Sequence, residues 1–157
     1  MYDITPVTST KSVVCGPASL KMLLSYYDTD VELDTLISEC GVTISGCSAK
    51  DMIRVGNAHG MNMLAYNEDA EDALNADRPS IVWWKYSHFV VCCGKDENGE
   101  AVVCDPTRGR YHLSVGTFKS FYSGVSLYNG EPQDLPVSDT ATAEDYEAAL
   151  SDLGVNV

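Results

Sequence analysis

The stretch Val13-Val14-Cys15-Gly16-Pro17-Ala18-Ser19-Leu20 constrains the fold more than any other in the chain. Pro17 lacks an N–H and has a pre-set φ, so it fits the first turn of a helix and not its interior. Leu20, Leu23, Leu24 and Tyr27 follow at helical spacing. The pattern predicts a helix from about Gly16 to Tyr27, with Cys15 at its N-terminal edge and Gly16 letting another backbone come close. A thiol at such an edge meets unpaired backbone N–H groups and the positive end of the helix dipole. Both favour thiolate, the nucleophilic form. The plainer reading is that Cys15 is one more small buried hydrophobe, the commoner state of a free cysteine.

Residues 1–14, rich in Thr, Ser, Val and Pro, read as an extended arm. A short helix is expected around Glu32 to Cys40, with Leu33, Leu36 and Ile37 as its apolar face. Gly41 to Cys47 reads as a loop. Ser48-Ala49-Lys50-Asp51 resembles a capping box with Asp for Glu and opens a third helix ending near Gly60. From there the pattern turns to strands. Met61–Tyr66, Pro79–Lys85, His88–Gly94, Glu100–Asp105, Arg110–Leu113 and Val125–Tyr128 are the candidates, with Asn98-Gly99 as a hairpin turn. Short helices are expected at Asp69–Ala76 and after Ser114, carrying Phe118 and Phe121. Helices followed by an antiparallel sheet give the α+β class.

The 157 residues suffice for one domain, placed at 1–130. Residues 131–157 read as an acidic linker and tail, with a weak helix at Thr142–Leu153. The net charge of −13 argues against nucleic acid and anionic membrane as partners. That acidity is uneven: the tail holds seven acidic residues and no Lys or Arg. The N-terminus has neither the basic start nor the apolar run of a signal peptide, and no stretch approaches membrane-span length. A cytoplasmic location without membrane insertion is expected. The six cysteines form no C-x-x-C pair, so a zinc ribbon or thioredoxin motif is disfavoured and no cofactor or metal is expected. Cys92 and Cys93, adjacent in one strand, point to opposite faces. The extra cysteines read as core hydrophobes in a reducing compartment.

A nucleophilic cysteine needs a base, and the base needs an orienting partner. Of the three histidines, His59 sits unremarkably at a helix end, and His112 has no acid close in sequence. His88 opens the apolar strand His88-Phe89-Val90-Val91-Cys92-Cys93-Gly94, and Asp105 closes the next one. If 96–99 is the hairpin loop, Lys95 faces Glu100 and Val90 faces Asp105. His88 shares a face with Val90, so Asp105 lies diagonal to it, at about 7–8 Å between backbone positions. A one-residue slip would separate them. Asp105-Pro106 also reads as a turn initiator.

The chain resembles the papain-like cysteine peptidase domain of bacteriocin-processing ABC transporters, which removes double-glycine leader peptides. The matching segments are Cys15-Gly16-Pro17-Ala18-Ser19-Leu20, Leu24-Ser25-Tyr26-Tyr27, Cys40-Gly41-Val42, Ser48-Ala49-Lys50-Asp51-Met52, Pro79-Ser80-Ile81-Val82-Trp83-Trp84, His88-Phe89-Val90-Val91 and Asp105-Pro106. They run in order from about Thr5 to Gly130. The resemblance implies a papain-like fold, a helical half packed on an antiparallel sheet half. It implies Cys15 as nucleophile, His88 as general base and acid, and Asp105 as the group orienting His88. It further implies a leader-bearing precursor peptide as substrate and an ABC transporter as partner. The family carries a glutamine six residues before the cysteine as an oxyanion donor. Ser9 stands there, and no Gln or Asn occurs in residues 1–30. Ser9 and the Cys15 N–H are therefore expected to form a weak oxyanion hole, with Thr8, Thr10, Lys11 or Ser12 in place of Ser9 if the arm is shifted. The alternative is a catalytically weak or inactive docking module for a leader or transport substrate. A papain-like enzyme acting on another amide, and a zinc protein, are further readings. Trp83 and Trp84 are either groove or core.

Overall fold

The computed structural model describes residues 1–85, 87–130 and 140–141. A 3₁₀ turn (Ser12–Val14) leads into α1 (Cys15–Tyr26), α2 (Leu33–Cys40) and α3 (Ala49–Ala58). Then come β1 (Met63–Asn67), α4 (Ala70–Asn75), β2 (Ser80–Trp84), β3 (His88–Lys95) and β4 (Ala101–Asp105). β5 (Gly109–Leu113), α5 (Val115–Phe121), β6 (Tyr122–Asn129) and the two-residue β7 (Thr140–Ala141) complete the order. The strands form one sheet, β5-β4-β3-β2-β6-β1-β7, and every pairing is antiparallel. This is the expected α+β arrangement. The expected linker over 131–139 and helix over 142–153 lie outside the described residues. Thr140–Ala141 of the tail pair with β1, an attachment that composition did not announce.

Helix starts follow side-chain chemistry where a side chain can cap. Ser48 accepts the Asp51 N–H at 3.0 Å, Asp69 the Asp72 N–H at 3.0 Å, and Ser114 the Thr117 N–H at 3.1 Å. At Ser48 the box is altered: the Ser48 hydroxyl donates to the Asp51 carboxylate at 2.9 Å. α1 differs, because its N-cap is Val14, without a side-chain cap. Instead the 3₁₀ turn runs into it, and the Cys15 N–H donates to Ser12 O.

Both faces of the sheet are covered, so β2, β3 and β4 are apolar almost continuously. Ile81, Trp83, Phe89, Val91, Cys93 and Cys104 pack with Leu20, Leu23, Leu24 and Met52 of the helical half. Val82, Trp84, Val90, Cys92 and Val103 face the other way, onto Leu74, Phe118 and Tyr122. Successive residues alternate between two cores, which places Cys92 and Cys93 on opposite faces as expected. Both tryptophans are buried. Each large side chain so covered contributes about 1.5–3 kcal/mol.

The β3–β4 register decides the site. Val91 pairs with Cys104 and Cys92 with Val103, so the next step sets Val90 opposite Asp105. That is the register the sequence predicts at this end. At the turn end it fails: Lys95 pairs with Ala101, not Glu100, and the ladder shifts between Cys92 and Lys95. Gly94, at φ +85°, sits in that irregularity.

Candidate active site

Three separate segments meet at one cavity of about 410 Å³. The start of α1 contributes Cys15 and Gly16, the loop before α3 contributes Ile44 to Cys47, and the start of β3 contributes Ser87, His88 and Phe89. Ser12, Val13, Trp83 and Thr107 complete the wall. Gly16 is required: a Cβ there would stand 2.7 Å from Cys47 Sγ and from Met52 Sδ. Ser87 enters β3 at φ +59°, in the left-handed region.

His88 Nε2 lies 2.7 Å from Asp105 Oδ1. That contact leaves Nδ1 as the ring nitrogen available to Cys15, with which His88 also hydrogen-bonds. Burial works against a charged imidazole here. The hydrogen bonds from Asp105 and Cys15 outweigh it and raise the His88 pKa to about 9. Burial likewise opposes an ionised Asp105. The bonds from His88 and from Thr107 prevail and lower the carboxyl to about 2. The site thus holds an imidazolium and a carboxylate through the neutral range.

Asp105 is held by more than the sequence revealed. The Thr107 N–H and hydroxyl donate to its Oδ1 at 2.8 and 2.7 Å, and the Tyr111 hydroxyl donates to Oδ2 at 3.2 Å. The Thr107 contact is an Asx turn, and the Arg108 N–H also donates to Asp105 O at 3.1 Å. The turn expected at Asp105-Pro106 and the contact with His88 are therefore both made by one side chain. Only the Asp-Pro-Thr sequence hinted at this; Tyr111 left no local signal.

Cys15, His88 and Asp105 are brought together. Ser9 is not brought to the cavity: its N–H donates to Pro106 O at 2.7 Å, and its hydroxyl accepts the Lys11 N–H at 3.1 Å. The Cys15 N–H, the other expected oxyanion donor, is given to Ser12 O. The serine of the arm that lines the cavity is Ser12. His59 and His112 lie elsewhere, each on a carboxylate.

A buried helix-start cysteine, a histidine at a strand mouth and an aspartate closing the neighbouring strand are the parts of a thiol-peptidase triad. The profile of the Peptidase C39 family matches residues 3–133. The chain belongs to the Peptidase C39 family. Lactococcin-A transport/processing ATP-binding protein LcnC of Lactococcus lactis subsp. lactis is 31% identical to the C39 chain over 137 residues, which cover 82% of this chain and 19% of that protein. Colicin V secretion/processing ATP-binding protein CvaB of Escherichia coli is 25% identical over 121 residues, covering 77% and 17%. The C39 chain thus spans less than a fifth of the length of these relatives. A double-glycine motif protease from an AMS/PCAT transporter, solved with a leader peptide, superimposes with a TM-score of 0.76 and 27% identity, covering 80% of this chain and 90% of that one. The peptidase domain of Streptococcus ComA shares the fold, with a TM-score of 0.70 and 20% identity over 82% and 97% of the two chains. Among the described residues no helix is long and apolar enough to cross a membrane.

Proposed function

We propose that the C39 domain is a cysteine endopeptidase that cuts a precursor after a Gly-Gly motif and so matures a secreted bacteriocin-like peptide. The observation that carries this reading is the convergence of Cys15 and His88 on one cavity, with His88 Nε2 2.7 Å from Asp105 Oδ1. The Cys15 sulfur attacks the scissile carbonyl while His88 stands protonated beside it. His88 then gives the Nδ1 proton to the leaving amine, and the acyl group stays on sulfur. Water enters, His88 takes its proton, and the acyl-enzyme is released. Asp105 remains ionised throughout and fixes the ring. The substrate class is a leader-bearing precursor peptide, the partner an ABC transporter, and the setting its cytoplasmic face.

A second reading is favoured by one observation. Ser9 does not line the cavity, and the Cys15 N–H is engaged by Ser12 O. Loss of one oxyanion donor costs about 10²–10³ in turnover. On this reading the domain docks a leader and cleaves it slowly or not at all.

Mass spectrometry of a panel of double-glycine leader peptides separates the two, with Cys15→Ala and Ser9→Gln run alongside. Cutting after the second glycine that vanishes in Cys15→Ala supports the peptidase. No cutting by the native chain or by Ser9→Gln, together with measurable leader binding, supports the docking module.

A further inference from the structure

The catalytic cavity holds a second thiol that the proposed peptide chemistry does not use. Cys47 lines the same wall as Cys15. Its sulfur packs on Gly16, the residue that follows the nucleophile, at 2.7 Å from where a Cβ would stand. Cys47 is also less buried than Cys40, Cys92, Cys93 and Cys104, and all six cysteines are free. Behind it stands Cys40, at the C-terminal end of α2, bonded to Cys47 thiol to thiol. That contact couples the two thiols, and with burial it pushes the Cys47 thiol up. Three sulfurs thus form a row from the cavity into the core: Cys15, Cys47, Cys40. The loop between Gly41 and Cys47 is tied by a tight turn, with Thr43 N–H to Gly46 O at 3.0 Å and Gly46 N–H to Thr43 O at 2.9 Å. Cys47 is therefore held in place.

We propose that Cys47 is a resolving thiol for Cys15, and that Cys40 then frees the nucleophile, making the row a site of disulfide-forming oxidation by hydrogen peroxide. The Cys15 thiolate attacks the peroxide oxygen, the O–O bond breaks, hydroxide leaves, and a sulfenic acid forms. The Cys47 sulfur attacks the Cys15 sulfur and the S–O bond breaks. The departing hydroxide takes the Cys47 proton as water, and a Cys15–Cys47 disulfide results. Cys40 next gives its proton to the hydroxide of the first step, forming the second water; its thiolate attacks the Cys47 sulfur, the Cys15–Cys47 bond breaks, and Cys15 leaves as thiolate. The net change is one peroxide reduced to two waters, one Cys40–Cys47 disulfide formed, and Cys15 restored. Without the row, sulfenic acid at Cys15 passes on to sulfinic acid, which thiols do not reverse.

The test needs no peptide substrate, so its failure is separate from failure of the peptidase reading. The reduced full chain is treated with hydrogen peroxide, quenched by alkylation at intervals and digested with trypsin. Cys15 then falls on the peptide 12–21, and Cys40 and Cys47 share 22–50. A transient cross-link between these peptides, giving way to a disulfide within 22–50 with Cys15 alkylated, is the expected course. Cys40→Ser should stop at the cross-link. Cys47→Ser and Cys47→Ala should both send Cys15 to sulfinic acid several-fold faster than the native chain. Cys93 and Cys104, fully buried with sulfurs 3.6 Å apart, report on folding: they resist alkylation while the fold holds. Sulfinic acid at Cys15 in the native chain as fast as in both Cys47 variants, with no cross-link at any time, overturns the proposal.

Discussion

Two histidine–aspartate pairs on neighbouring strands have almost the same hydrogen bond. His88 meets Asp105 at 2.7 Å and His112 meets Asp96 at 2.6 Å. Their surroundings differ. The side chains of His88 and Asp105 are 23% and 7% exposed, and a cysteine stands on the far side of the ring. His112 is 44% exposed, beside a hairpin turn that also engages Asp96 through the Asn98 and Glu100 N–H groups. A third histidine, His59, meets Glu39 at 2.9 Å at a helix end. An acid partner is therefore common to all three histidines and distinguishes none. The cavity and the thiol distinguish His88; burial does not, since the His59 side chain is 24% exposed.

The comparison breaks most sharply on the histidines themselves. His88→Ala is expected to lower leader cleavage about 10³-fold or more, while His112→Ala stays within about twofold. Equal losses would mean that His112–Asp96 shares in the chemistry; steady-state cleavage kinetics decide it. Next in size is the acid. Asp105→Asn should cost about 10²–10⁴ in kcat, because the ring loses its fixed orientation and charge partner. Asp96→Asn should leave kcat in place.

The His88–Asp105 pair couples stability to pH. The His88 pKa rises from 6.5 in the free side chain to about 9 in the fold. Its contribution to stability is thus complete below pH 6.5 and is lost between 6.5 and about 9. For Asp105 the carboxyl falls from 3.8 to about 2, so its contribution is complete above 3.8 and is lost between 3.8 and about 2. The difference in melting temperature between the native chain and His88→Ala should be level from about pH 4 to 6.5 and shrink toward pH 9. A difference that stays constant to pH 9 would overturn the assignment.

The smallest effect expected is at Tyr111. Tyr111→Phe removes one donor from Asp105 Oδ2 but leaves both Thr107 donors. It should lower kcat by a few-fold and move the alkaline limb of the pH–rate profile slightly upward, because a carboxylate with one donor fewer holds the imidazolium more strongly. An unmoved limb would reduce Tyr111 to packing.

How far the site was legible follows from the range over which each feature is encoded. The start of α1 lies within a few residues of Cys15 and needs only the proline and the helical repeat. Alternation along β3 sorts Cys92 from Cys93 because strand geometry has a period of two. The His88–Asp105 diagonal was also within reach, since it depends on one hairpin, and the register held where it mattered despite the bulge at Gly94. His112 looked partnerless because Asp96 lies 16 positions away, across a pairing that only the fold creates. Ser9 matched the family position in sequence, yet the backbone bond to Pro106 O sets the path of the arm and leaves its hydroxyl away from the cavity. Cys47 and Tyr111 carried no signal, because nothing near them in the chain fixes which element they meet.

The sequence by itself determined the helical half, the two-faced sheet and the placing of Cys15, His88 and Asp105 at element ends, all of which rest on local periodicity and turn chemistry. The tertiary structure alone decided that His112 also has an acid partner, that Ser12 and not Ser9 lines the cavity, and which sulfurs stand in a row. Those choices depend on contacts between distant segments, where loop paths and burial set both geometry and charge.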